Sequence, residues 1–165
     1  MNQSISKQVR TLAIALTARG FGYSVMEGQV ILESGNKEVK GNKNLNSVSK
    51  VEKLLNLFRP SVLVLQDVNA KGCHRWPRIK ELHQQVIVLA KKQKCKTAIL
   101  SGKRLRIALL DDVNGTKHEL AEMLAQRFPA ELAHKLPPKR RLWENEVGRM
   151  DMFDAVGLAV VFSMR

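Results

Sequence analysis

Acidic residues are scarce in this chain. Its 165 residues hold 15 Asp and Glu against 28 Lys and Arg, a formal net charge of +13. Between Lys71 and Arg106 the one acid is Glu81. A soluble chain this basic points first to a nucleic-acid partner, with a surface that serves solubility alone as the plainer alternative. The charge is spread along the chain and not gathered on one amphipathic helix, which argues against a membrane surface. Cysteine is almost lacking: Cys73 and Cys95 share no metal-ligand spacing, so no zinc site or disulfide framework is expected, and the default is a reduced, cytoplasmic protein. No apolar run approaches the roughly 20 residues of a membrane span. The opening "MNQSISKQVR" lacks the apolar core of a secretory signal. There is no Walker A loop, no dinucleotide fingerprint and no Ser-His-Asp arrangement. His83, His118 and His134 have no nucleophile beside them, and Cys73 and His74 are adjacent, too close to chelate one ion comfortably.

What is present is the material of one α/β domain. The length suits a single core over residues 11–165, preceded by a flexible polar arm over 1–10. Short apolar or alternating runs predict strands at "TLAIALT" (11–17), "GFGYSVME" (20–27), "GQVILES" (28–34), "SVLVLQDV" (61–68) and "KTAIL" (96–100), with a hairpin turn at Glu27-Gly28. The Gly/Asn-rich stretch 35–46 reads as a loop, and Asn46 or Ser47 as the cap of a helix ending before Pro60. Pro77 opens a second helix. A short helix over "SGKRLRIALLDD", a helix over 116–128, a Pro/Arg-rich connection and a last helix from about Arg149 to Phe162 complete the chain. A meander followed by βα units implies a mixed five-stranded sheet flanked by helices on both faces.

One segment asks for an explanation. "GRMDMFDAVGLAVVF" (148–162) is apolar enough for a core helix, yet it carries Asp151 and Asp154 three apart, hence on one face. Buried acids are costly unless paired, solvated or bound to a metal. Favourable interaction with the dipole of a helix N-terminus is the bland explanation.

Four stretches together resemble the RNase H-like superfamily, in particular the RuvC-type Holliday-junction resolvases. "LAIALTARGFGYSVMEG" is similar to the family's first strand and hairpin, "VLVLQDV" to its acid-bearing central strand, "NGTKHELAEML" to its lysine-bearing late segment, and "RMDMFDAVGLAV" to its terminal "DxxDA" helix. The resemblance spans almost the whole chain and implies an RNase H-like fold. It also implies four carboxylates holding two Mg²⁺ or Mn²⁺ ions that hydrolyse a phosphodiester, one activating water and the other stabilising the leaving oxygen. On this resemblance Asp151 and Asp154 are metal ligands and Lys117 contacts the scissile phosphate. The two other acid positions fall on Ala15 and Gln66. Alanine has no donor atom, and glutamine offers only a neutral oxygen. Asp67 is adjacent, but successive strand side chains point to opposite faces, so it reaches the site only through a bulge or register shift.

The loss reads either as a natural pseudonuclease or as substituted catalytic residues, and Leu16, where the family has proline, favours drift. Two expectations follow: a protein that recognises branched or structured DNA without cutting it, or an active Mg²⁺-dependent junction endonuclease whose site is rearranged around Asp67, Asp151 and Asp154 or whose Ala15 and Gln66 were introduced. A scaffold for protein interactions is a third. DNA contacts are expected from the loop bearing Lys71, His74, Arg75, Trp76 and Arg78, from Lys103 and Arg104, and from Lys139, Arg140 and Arg141. The alternative for Trp76 is packing beneath the helix at Pro77. The resemblance also implies a homodimer through the helix with Leu82, Val86 and Leu89, residues whose plainer use is packing on the sheet.

Overall fold

The computed structural model describes residues 9–69, 76–138 and 150–164. Three strands form an antiparallel meander: β1 (Arg10–Leu16), β2 (Gly20–Glu27) and β3 (Val30–Glu38). Helix α1 (Lys43–Phe58) leads to β4 (Val62–Gln66), and α2 (Pro77–Lys92) leads to β5 (Lys96–Leu100). Then come α3 (Gly102–Leu110), α4 (Lys117–Arg127), the short α5 (Pro129–Leu132) with a 3₁₀ turn (Ala133–Lys135), and α6 (Met150–Ser163). The sheet order is β3-β2-β1-β4-β5, with β1, β4 and β5 parallel. This is the mixed five-stranded α/β sheet expected.

Strand alternation sorts the apolar side chains into two cores. Leu12, Ile14, Leu63 and Leu65 face α1 and α2, where they meet Val51, Leu55, Leu82 and Val86. Ala13, Ala15, Val62 and Val64 face α6, α4 and α3. Helix α6 is buried nearly all round, from Ala155 to Val161, because α3 and α4 cover the side turned away from the sheet. That is why its sequence is apolar on every face. Among the described residues no helix is long and apolar enough to cross a membrane.

Several boundaries differ from expectation. Arg10 belongs to β1 and not to an arm: it pairs with Glu27 across the ladder, and its guanidinium lies 2.9 Å from the Glu27 carboxylate. β3 runs on to Glu38 through the expected loop, because β2 supplies hydrogen-bonding partners as far as Gly20 and the Tyr23 ring packs on Gly35. α1 starts at Lys43, capped by Asn42, whose side chain accepts from the Leu45 N–H at 3.2 Å. Part of the expected Pro/Arg-rich connection forms α5, begun by Pro129.

Candidate functional site

β1 and β4 end side by side. Their register, Ile14 beside Leu65, continues to bring Ala15 level with Gln66. Ala15 lies with Ala13 on the α6 side of the sheet, and Gln66 shares the side of Val62 and Val64. The Gln66 amide reaches the first turn of α3, where a methyl group on Gly102 would stand 3.1 Å from its Nε2. On the other side Ala15 pairs with Gly22 of β2. The first turn of α6 rests on that glycine: a Cβ at position 22 would overlap the Asp151 carbonyl and the Met152 nitrogen. Ala15, Gln66, Asp151 and Asp154 therefore gather at one end of the sheet under the start of α6.

Lys117 joins them from α4. Its ammonium lies 3.3 Å from Asp154 Oδ2, with the lysine side chain half-exposed and the aspartate side chain largely buried. The turn that carries Lys117 is fixed by a reciprocal cap: the Thr116 hydroxyl accepts from the Glu119 N–H at 3.1 Å, and the Glu119 carboxylate accepts from the Thr116 N–H at 3.2 Å.

Asp67 stands apart. No bulge brings it round; β4 ends in regular parallel pairing of Gln66 with Leu100. Its carboxylate accepts from the Asn69 N–H at 2.9 Å and lies close enough to His83, on α2, to act on it electrostatically. The expectation of Asp67 as a metal ligand is corrected for this reason: it is on the α2 side. His83 is buried, with Nε2 3.1 Å from the Gln66 carbonyl oxygen. Burial pushes its pKa below the usual value, and the Gln66 carbonyl and Asp67 oppose that push.

The donor set does not fit a pair of divalent ions. Such ions need several hard oxygen ligands with enough negative charge to balance them. Here Ala15 has none, Gln66 is neutral, Asp67 is on the other face and Asp154 already faces an ammonium. Among the described residues no group of three or more His, Cys, Asp or Glu could hold a metal ion.

The basic and aromatic candidates divide. Trp76 is 75% exposed at the start of α2 and does not pack beneath it. Arg78 is half-buried and structural in part: it donates to Asn44 Oδ1 at 2.9 Å and to the Ala18 carbonyl at 3.3 Å. Lys43 donates to the same carbonyl at 2.9 Å, so two cations hold the β1–β2 turn at the site's end of the sheet. Beside them runs a cleft of about 590 Å³ lined by Asn42, Lys43, Leu45, Arg78, Glu81 and Gln85. Lys103 and Arg104 are exposed in the first turn of α3, beside Gln66. Lys71, His74, Arg75, Lys139, Arg140 and Arg141 lie outside the described residues. Arg106 was not among the candidates, yet its Nη1 comes within 3.9 Å of the same Gly102 position that Gln66 approaches, held by a bond from Nε to the Val113 carbonyl. Its spacing, four residues after Gly102 on one helix face, is the signal that marks it. Leu82 and Val86 are buried against this chain's own sheet, so they offer no surface to a second copy; Leu89 is half-buried.

No family model matches this sequence, and no curated protein matches it. Solved structures do. RuvC of Thermus thermophilus aligns with a TM-score of 0.67 at 15% identity, covering 92% of each chain. The fold is that of the RuvC-type resolvases. The yeast mitochondrial Holliday junction resolvase gives a TM-score of 0.59 at 14% identity, over 98% of this chain and 82% of that one. Fowlpox virus resolvase, solved with Holliday junction DNA, gives 0.59 at 10% identity, over 93% of this chain and 98% of that one. The RuvC-type architecture is thus present from end to end.

Proposed function

We propose that this chain binds branched or structured DNA and does not cut it by two-metal hydrolysis. The observation that carries the reading is the composition of the site: a RuvC-type fold brings Ala15, Gln66, Asp151 and Asp154 to one end of the sheet, and only the last two are carboxylates. Without the other two acids there is too little negative charge to hold the pair of ions that would activate water and stabilise the leaving oxygen. Binding needs less. The net charge of +13, the exposed Trp76 and the exposed Lys103 and Arg104 supply phosphate attraction and a stacking surface. The fowlpox resolvase, of the same fold, is seen with a Holliday junction, which supports a four-way junction as the first ligand to try.

The test is a labelled four-way junction in Mg²⁺ and in Mn²⁺, given to the chain and to an Ala15→Asp/Gln66→Glu variant. The expected result is binding by both and no cleavage by the chain as it stands. Cleavage by the unaltered chain that Asp151→Asn abolishes overturns the reading in favour of a rearranged nuclease. Absence of junction binding at moderate salt overturns it in favour of a protein-interaction scaffold. Sedimentation with and without the junction reads whether two copies assemble on its two-fold symmetry.

A further inference from the structure

Lys117 and Asp154 are placed as no two-metal site would leave them. A carboxylate that ligates a divalent ion presents its oxygens to the ion; here an ammonium sits 3.3 Å from one of those oxygens, and the carboxylate is largely buried. The lysine is not a stray surface chain. It is the first residue of α4, and the reciprocal Thr116–Glu119 cap holds that turn against the start of α6. Gln66 has lost its charge at the next corner, and the Arg106 guanidinium approaches that corner from α3. The balance of the site has moved from acids awaiting metal to acids facing built-in cations.

We propose that Lys117 is the resident cation of this site, standing on Asp154 in place of a divalent ion, so that the site excludes metal and the chain binds its nucleic acid without one. The second half rests on the DNA-binding reading above; the first does not. An approaching phosphate meets an already neutralised Asp154 and is not repelled by it. The half-exposed ammonium keeps N–H donors available to a phosphate oxygen, since a lysine head has three. A fixed internal charge also needs no ion uptake before binding, whereas a metal site gains its charge only when loaded.

The experiment titrates Mn²⁺, read by its electron paramagnetic resonance signal, into the full chain, Lys117→Met and Lys117→Arg, with junction binding measured in parallel in EDTA and in Mg²⁺ at constant ionic strength. The chain and Lys117→Arg are expected to take up no Mn²⁺ up to about 1 mM, the weak end of oxygen-ligand sites. Lys117→Met is expected to bind at least about tenfold tighter, the effect of removing one partly screened like charge from the ion's seat. Junction affinity of the chain is expected to be the same in EDTA and Mg²⁺. Equal Mn²⁺ uptake by the chain and Lys117→Met, whether tight or absent, overturns the proposal, as does junction binding that requires Mg²⁺. If Lys117→Met does not fold, Lys117→Gln makes the same comparison. Loss of junction binding under all conditions, with the Mn²⁺ contrast intact, sinks the DNA-binding reading and spares the role of Lys117.

Discussion

Gly22 of β2 lies directly beneath the backbone of Asp151, and no side chain can stand between them. The contact sets how closely α6 approaches the sheet and therefore where Asp151 and Asp154 sit. Gly22→Ala forces backbone against backbone, so it is expected to destabilise the fold by about 1–3 kcal/mol, the usual range for overpacking. Gly102→Ala is the control: there the nearest atom is the flexible end of Gln66, which can move aside. Urea unfolding of the two variants checks the difference. A Gly22→Ala protein as stable as the parent would show that α6 does not rest on β2.

The Thr116 cap has a similar role for Lys117. Thr116→Val removes the hydroxyl that accepts from the Glu119 N–H and is expected to cost about 1 kcal/mol. Thermal unfolding measures it. The same substitution frays the turn that carries Lys117, so Mn²⁺ uptake should rise in step with the loss of stability.

His83 makes stability depend on pH. Nε2 faces a carbonyl oxygen, which only accepts, so Nε2 carries the proton and donates to Gln66; the buried Nδ1 has no hydrogen-bond partner. Protonating Nδ1 puts a charge in the α2-side core, and the folded pKa is lowered by that burial. The unfolded chain then takes up a proton first, near pH 6.5. The contribution is fully present above that pH and is lost as pH falls toward the folded value, at up to about 1.4 kcal/mol per pH unit. Urea midpoints between pH 7.5 and 5 should drop more for the chain than for His83→Gln. Parallel drops would remove His83 as the cause.

Tyr23 gives an optical reading of the meander. It is the one tyrosine in the sequence, is buried, and donates to Glu33 Oε1 at 2.9 Å. Burial first, then the Glu33 hydrogen bond and charge, push its pKa up to about 12. The tyrosinate absorbance at high pH should therefore appear well above the usual pH 10. Because the unfolded phenol ionises first, stability is present below about pH 10 and is lost as pH rises toward 12. Glu33→Gln should bring the transition down; an unchanged transition would leave burial as the whole cause.

Trp76 separates binding from folding. It is exposed, so Trp76→Ala should leave the unfolding midpoint unchanged. If it stacks on a base, junction affinity should fall by about 1–3 kcal/mol with little change in salt slope, since no phosphate contact is lost. A change in the slope and not in the intercept would show that the loop contributes charge alone.

The sequence by itself determined the strand runs, the βα order and the faces of the central strands. These follow from local periodicity: alternation puts Ala15 and Gln66 on one side and Asp67 on the other, and β4 keeps that alternation because it pairs regularly on both edges. Charge count and the spacing of Asp151 and Asp154 were legible for the same reason. The extension of β3 to Glu38 was not, because Gly35 and Asn36 become strand only through pairing with Tyr23 and Gly22. The choice of Asn42 over Asn46 as the α1 cap was also unreadable, since both residues can cap. Only the tertiary structure decided what Asp154 faces. Lys117 is 37 residues away by number and is brought to it by the packing of α4 on α6, a contact between distant segments that no local pattern encodes. The same packing carries Gly22 to Asp151 and Arg106 toward Gln66. Local chemistry thus names the residues of this site, and long-range packing decides whether their charges meet a metal or one another.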